Sequence, residues 1–242
     1  MYRYNSFQEG DDLTYVRGAH TFKWGVNIER IQDNETTESN TRGDYVFSDL
    51  PTFLHNLPSS FQAVTPGQNG SRSLRTTLFG AYAQDDFRVT QRLTLNLGLR
   101  WEVMSNPTEV NGKMANLLNI TDAKTTVLKD SYFSVGKKDF QPRVGLAWRL
   151  NGSGTTVLRG GFGMFHDHVL PYSYVGWASG IPPFFTSLND PNPIFPIDTN
   201  FTNPNIAPPA QFDEMPATLR EPTKIQYTLS LQQQVMKNTV LE

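Results

Sequence analysis

The sequence predicts an all-β chain: a sector of an antiparallel transmembrane β-barrel, with short turns on one rim and long loops on the other. Three observations predict it. In Leu93-Thr94-Leu95-Asn96-Leu97-Gly98-Leu99-Arg100-Trp101-Glu102 every odd position is apolar and every even one is polar or glycine. Strand side chains alternate between faces, so this segment has one greasy face and one wet face, and about ten residues suffice for a tilted strand to cross a bilayer. Connections alternate between very short ones and ones of roughly thirty to fifty-five residues, the loop asymmetry of outer-membrane barrels. Mean hydropathy is only -0.44, and no apolar run approaches the roughly 18 residues of a membrane-spanning helix, while an alternating barrel keeps its average low.

The elements follow in order. Residues 11–17 alternate weakly, Gly18-Ala19 turns, and 20–31 places Phe22, Trp24, Val26 and Ile28 on one face opposite Lys23, Asn27 and Glu29, which reads as a hairpin. Periodicity then lapses to about residue 72. The acidic run 33–38 reads as solvated, whereas Tyr45, Phe47, Phe53, Leu54, Leu57 and Phe61 are apolar enough to pack. Residues 74–89 alternate again (Phe79, Ala81, Ala83 and Phe87 on one face) and turn through 90–92 into the strand 92–103. After an aperiodic stretch with Asn106-Pro107 and Asn111-Gly112 breakers, a third hairpin joins 139–150 to 155–165 through Asn151-Gly152-Ser153-Gly154. The segment 166–221 holds most of the sixteen prolines and cannot be regular throughout. Strands at 223–235 and 239–242 close the series, about eight in all.

Chain direction assigns the rims. The strand 92–103 leaves a short turn and ends at a long loop, so it runs outward: Trp101 sits at the outer interface, and Trp148 and Phe22 at the inner one, as aromatic belts require. The lipid-facing set is Phe22, Trp24, Leu95, Leu97, Leu99, Trp101, Trp148 and Tyr227. The lumen set is Lys23, Glu29, Arg100, Glu102, Arg143 and Arg159, positions that pair across the inner wall or touch a substrate or plug. A net charge of -2 gives no general attraction to nucleic acid, and with no cysteine there is no disulfide framework or thiolate metal site.

Gly80-Ala81-Tyr82-Ala83-Gln84-Asp85-Asp86-Phe87 with the 93–102 strand resembles a hairpin of TonB-dependent outer-membrane receptors. Phe140-Gln141-Pro142-Arg143-Val144-Gly145-Leu146-Ala147-Trp148 with Val157-Leu158-Arg159-Gly160-Gly161-Phe162-Gly163-Met164-Phe165 looks like a second. Segments 12–25, 53–61 and 226–232 extend the resemblance to the Oar-like branch, over nearly the whole chain. It implies a barrel of about 22 strands, a plug domain within it, and import driven by the TonB complex. The N-terminus has no apolar h-region and the C-terminus stops as a new apolar stretch begins. The expectation is therefore an internal piece of 242 residues, without signal peptide or plug, that needs the missing remainder of the barrel because an open sector leaves unpaired edges.

No catalytic, cofactor or metal residue is assigned, and the chain is not expected to be an enzyme. His166-Asp167-His168 offers two imidazoles and a carboxylate but no third ligand, and reads as loop surface. Gly160-Gly161-Phe162-Gly163 continues a strand instead of opening a helix, so it is no phosphate cradle. The acidic run lacks the spacing of a Ca²⁺ loop. Asn34-Glu35-Thr36, Asn69-Gly70-Ser71 and Asn200-Phe201-Thr202 fit the glycosylation pattern at about chance level. The functional expectation is binding or import of a substrate at the cell outer membrane, loops extracellular and turns periplasmic. The alternatives are an adhesion or scaffold barrel without transport, or a soluble all-β carbohydrate-binding domain. Leu97→Arg, at the presumed midplane, is expected to destabilise far more than a charge at Asn96.

Overall fold

The computed structural model describes residues 1–36, 40–122, 124–191, 193–195 and 215–242. Glu38 of the acidic run and the Asn200-Phe201-Thr202 triplet lie outside them. Eight strands form one antiparallel meander: β1 (Tyr2–Arg17), β2 (His20–Glu35), β3 (Arg72–Arg88), β4 (Leu93–Met104), β5 (Asp139–Arg149), β6 (Thr156–His166), β7 (Thr223–Met236) and β8 (Thr239–Leu241). Each pairs with its chain neighbours, and the first and last strands are not joined to each other. Turns at 18–19, 89–92, 150–155 and 237–238 lie at one end, and the connections 36–71, 105–138 and 167–222 at the other.

The register aligns the outward side chains into rows that are apolar but for Asp85. Phe22, Asp85, Leu97, Val144, Phe162 and Tyr227 stand opposite one another across six strands. Trp24, Ala83, Leu99 and Pro142 form the next row, and Val26, Ala81, Trp101 and Phe140 the one after. This apolar face is uncovered: Leu229 is 76% and Tyr227 80% exposed. Burial of such a face is what normally stabilises a sheet, so it awaits a solvent that is itself apolar. Aromatic rings mark both ends of the band. Phe79, Trp101 and Phe140 gather at the long-loop end, with Trp101 Nε1 donating to the Lys137 carbonyl at 3.0 Å. His20 stacks between Phe22 and Phe87 at the short-turn end.

Two strands are longer than alternation indicates. Residues 2–10 pair one for one with 27–35, so β1 starts nine residues before the expected 11, and β2 continues to Glu35 rather than 31. What holds these extensions is the backbone ladder, with no continuous greasy face behind it: Arg3 and Asn5 of β1 stand opposite Asn34 and Gln32 of β2. Charges on an edge strand also discourage pairing with a second sheet.

The long connections fold back over the polar face. Strands Asp44–Val46, Ser60–Val64 and Ser187–Asp190 form a small sheet that ties the first loop to the third. Within the first loop, Asp49 caps helix Leu50–Leu54 by accepting from the Thr52 amide, and the Thr52 hydroxyl returns the bond, a capping box. Ser134–Val135 pairs with Thr218–Leu219, tying the second loop to the third. Phe61 is buried beside Tyr45, whereas Phe53, Leu54 and Leu57 remain exposed. The main core joins Met114, Tyr132, Phe133, Val135, Tyr174, Val175 and Ala178 of the loops to Ile31, Leu74, Leu78 and Met104 of the strand ends. Those four project from the polar face, by parity with Glu29, Gly80 and Glu102. Burial pushes the phenols of Tyr132 and Tyr174 up, so both remain neutral. The acidic run is corrected by this packing: Asp33 is fully buried under the loops, not solvated.

Candidate functional site: the polar face and its loop canopy

The polar face is a hydrogen-bonded wall whose long side chains lie across glycines. Tyr82 reaches over Gly25 to donate its hydroxyl to Asp12 at 2.7 Å, two strands away. Arg100 likewise reaches over Gly80 to Asn27 at 2.9 Å, and its Nη2 also holds Glu102 at 2.6 Å. A Cβ at Gly25 would collide with Asp12 and come within 2.7 Å of the Tyr82 ring and 2.8 Å of the Asp11 carbonyl oxygen. One at Gly80 would collide with Asn27 and stand 2.8 Å from Arg100 Nη2. Gly25→Ala is therefore expected to cost about 1–3 kcal/mol through overpacking, measured by urea unfolding of the whole protein in lipid vesicles. Gly98→Ala, where the nearest atoms are 3.7–3.9 Å away, should be close to neutral in the same assay.

The six charged positions singled out from the sequence all project from this face by strand parity. Lys23 binds Asp86 at 3.0 Å, and Asp86 also accepts from Gln84 and Asn96. Glu102 accepts from Arg100 and from Gln141 Nε2. Glu29 accepts from Ser6 at 2.6 Å, and Arg159 donates to Gln232 at 3.0 Å. The Arg143 guanidinium lies 4.8 Å from the centroid of the Phe165 ring, a cation–π contact. A cavity of about 280 Å³ opens between Lys23, Tyr82, Gln84, Gly98, Arg100 and Arg143. The structure brings Lys23, Arg100 and Arg143 together there, and leaves Glu29 and Arg159 apart from them.

His166 and His168 are corrected from loop surface to the root of the canopy. Their side chains are only 12% and 13% exposed. His168 Nδ1 pairs with Glu221 at 2.8 Å and its Nε2 lies 3.9 Å from Glu102, while His166 lies 4.0 Å from Asp139. His168 and Glu221 bracket the third long connection, so their bond closes its two ends. Among the described residues no three His, Asp or Glu side chains are placed to hold a metal ion.

The Glu221 hydrogen bond raises the His168 imidazole above its ordinary value, burial opposes the shift, and Glu102 and Asp139 add to it. A raised value means that the charged pair stabilises the closed loop fully below the unfolded-state value of about 6.5. That contribution is lost as pH rises through the folded-state value. Hydrogen exchange at 215–221, corrected for intrinsic rate, should therefore accelerate on the alkaline side of neutrality. His168→Gln should remove that pH dependence.

Sequence reasoning passed over one pair on the apolar face. Asp85 occupies an apolar slot between Ala83 and Phe87, and binds His20 Nδ1 at 2.7 Å. The signal was present: one acid interrupting an odd-numbered apolar series. Arg72, buried with its guanidinium donating to the carbonyls of Ala178 and Ser179, gave no such signal, because those partners lie more than a hundred residues away.

An antiparallel meander with one uncovered apolar face, one hydrogen-bonded polar face and its long loops at a single end is the wall of an outer-membrane β-barrel. The comparison with protein families agrees: a model described as outer membrane beta barrel domain matches residues 1–242. The chain belongs to this family, which places it in the cell outer membrane against membrane lipid. No curated protein and no solved structure matches it.

Proposed function

We propose that the chain is part of the barrel wall of a TonB-dependent receptor of the Oar-like branch. In this reading the wall belongs to a closed barrel of about 22 strands, with the long loops extracellular and the short turns periplasmic. It binds or imports a substrate and performs no chemistry of its own. The apolar rows through Leu95, Leu97, Leu99 and Trp101 face lipid. The row through Lys23, Arg100 and Arg143 faces the lumen, where a plug domain or substrate meets it. The whole protein engages the TonB complex.

The observation that carries this reading is the canopy. The second and third long connections fold inward and bury a shared core on the polar face, and a small sheet ties the first to the third, which builds a structured mouth over the lumen. A barrel serving only as a membrane scaffold gains nothing from covering its inner wall. The two hairpins that resemble receptor hairpins, at 79–102 and 140–165, supply the receptor part. The test is capture of the whole protein, in detergent, by the purified periplasmic domain of TonB. Saturable binding that is lost when the segment upstream of the barrel is deleted is expected. No binding, together with a gene lacking any plug-encoding segment, would instead favour an adhesion or scaffold barrel.

A further inference from the structure

Beyond the apolar band the outward face changes character abruptly. On β2 the outward series Phe22, Trp24, Val26, Ile28 is followed by Arg30. On β3 the series ends at Phe79, after which come Thr77 and Arg75, and on β1 Arg3 stands opposite Asn34. Arg30 is the eleventh residue of β2, which is where a tilted strand of about 9–11 residues leaves the hydrocarbon and enters the headgroups.

Two of the three guanidinium groups are held by neutral partners. Arg30 Nη1 donates to the Thr77 hydroxyl at 2.7 Å. Arg75 Nη1 donates to Asn34 Oδ1 at 3.1 Å and to the Leu74 carbonyl at 2.7 Å. Both groups are thus oriented through one nitrogen, with Nη2 and Nε left to donate elsewhere. Among the described residues none of the three arginines forms an ion pair. On β1 the first outward carboxylate below them, Glu9, stands opposite Ile28. Asp33 and Glu35 alternate to the polar face.

We propose that Arg3, Arg30 and Arg75 form a docking site for the phosphate group of a membrane lipid at the long-loop end of the band. Three positive charges outside any ion pair, two of them oriented by neutral partners and set next to Ile28 and Phe79 at headgroup depth, complement a ligand with a phosphate above acyl chains. Arginine forks match phosphate oxygens in pairs. Thr77, Asn34 and Gln32 add neutral hydrogen-bonding groups around them. The orientation proposed above makes this lipid an outer-leaflet one, but the binding chemistry does not depend on that orientation.

The site is tested by native mass spectrometry of the whole protein released from detergent, with a diphosphorylated lipid A-type glycolipid and its dephosphorylated counterpart as probes. The phosphorylated lipid is expected to bind preferentially, and the Arg30→Gln/Arg75→Gln pair to weaken it roughly tenfold or more. Arg159→Gln, a polar-face change of the same charge, should leave binding intact, and heat-modifiable migration on gels reports that each variant is folded. Equal binding of both lipids, or undiminished binding by the folded double variant, would overturn the assignment. So would saturation of the arginines by inorganic phosphate with no preference for the lipid. None of these results bears on TonB capture, so the two proposals fail separately.

Discussion

Leu99→Arg is expected to destabilise the membrane-inserted protein by about 2–4 kcal/mol, the cost of a cation on the lipid face near the bilayer midplane. Leu97 lies on the same face and near the same depth by alternation, but it stands opposite Asp85, and an arginine there gains an acidic partner. Leu99 stands between Ala83 and Pro142 and is 48% exposed, so nothing rescues the charge. The control is Asn96→Arg on the polar face, where Asp86 already accepts from Asn96 at 2.6 Å and can accept from an arginine instead. Urea unfolding in vesicles should separate the two variants clearly. Equal midpoints would mean that the two faces see the same solvent.

Arg72→Leu is expected to undock the third long connection. Arg72 is 1% exposed, and its Nε donates to the Ala178 carbonyl at 2.6 Å, Nη2 to Ser179 at 3.4 Å and Nη1 to Ser71 at 2.8 Å. The Ala178 and Ser179 carbonyls belong to helix Val175–Ser179, which carries Val175 and Ala178 into the core. Removing the guanidinium strands buried carbonyls at the helix end, which has no basic residue in its last turn. Losing hydrogen bonds from a charged donor costs about 1.5–3 kcal/mol each, enough to open a locally stabilised unit while the wall persists. Limited proteolysis should cut within 167–195 in the variant, with no change in strand content by circular dichroism. Protection equal to the parent's would mean that apolar packing alone holds the canopy.

Most of the wall was legible because a barrel strand carries its environment in its own period. Leu93 to Trp101 repeat apolar residues at every second position, and β4 follows them. The start of β1 was not legible, since residues 2–10 pair through the backbone and mix Phe7 with Arg3 and Glu9. The canopy was illegible for a different reason. Tyr174, Phe133 and Leu74 meet across about a hundred residues, and no local period announces which loop lies on which strand. That is why Asp33 reads as solvated and is buried, and why His168 reads as loop surface and sits against Glu221. The charged polar-face residues could be placed by parity, but the glycines beneath them acquire their purpose only in three dimensions: Gly25 and Gly80 are where Tyr82 and Arg100 cross.

The central claim is that strand parity divides lipid from water. It is tested most directly by single cysteines at residues 93–102 of the whole protein, on a cysteine-free background that the absence of cysteine in these 242 residues makes simple. Spin labels at 93, 95, 97, 99 and 101 should relax with lipid-dissolved oxygen. Labels at 94, 96, 98 and 100 should relax with a water-soluble nickel chelate, in strict alternation. A profile without that period, with odd and even positions equally open to the chelate, would contradict the lipid-facing wall.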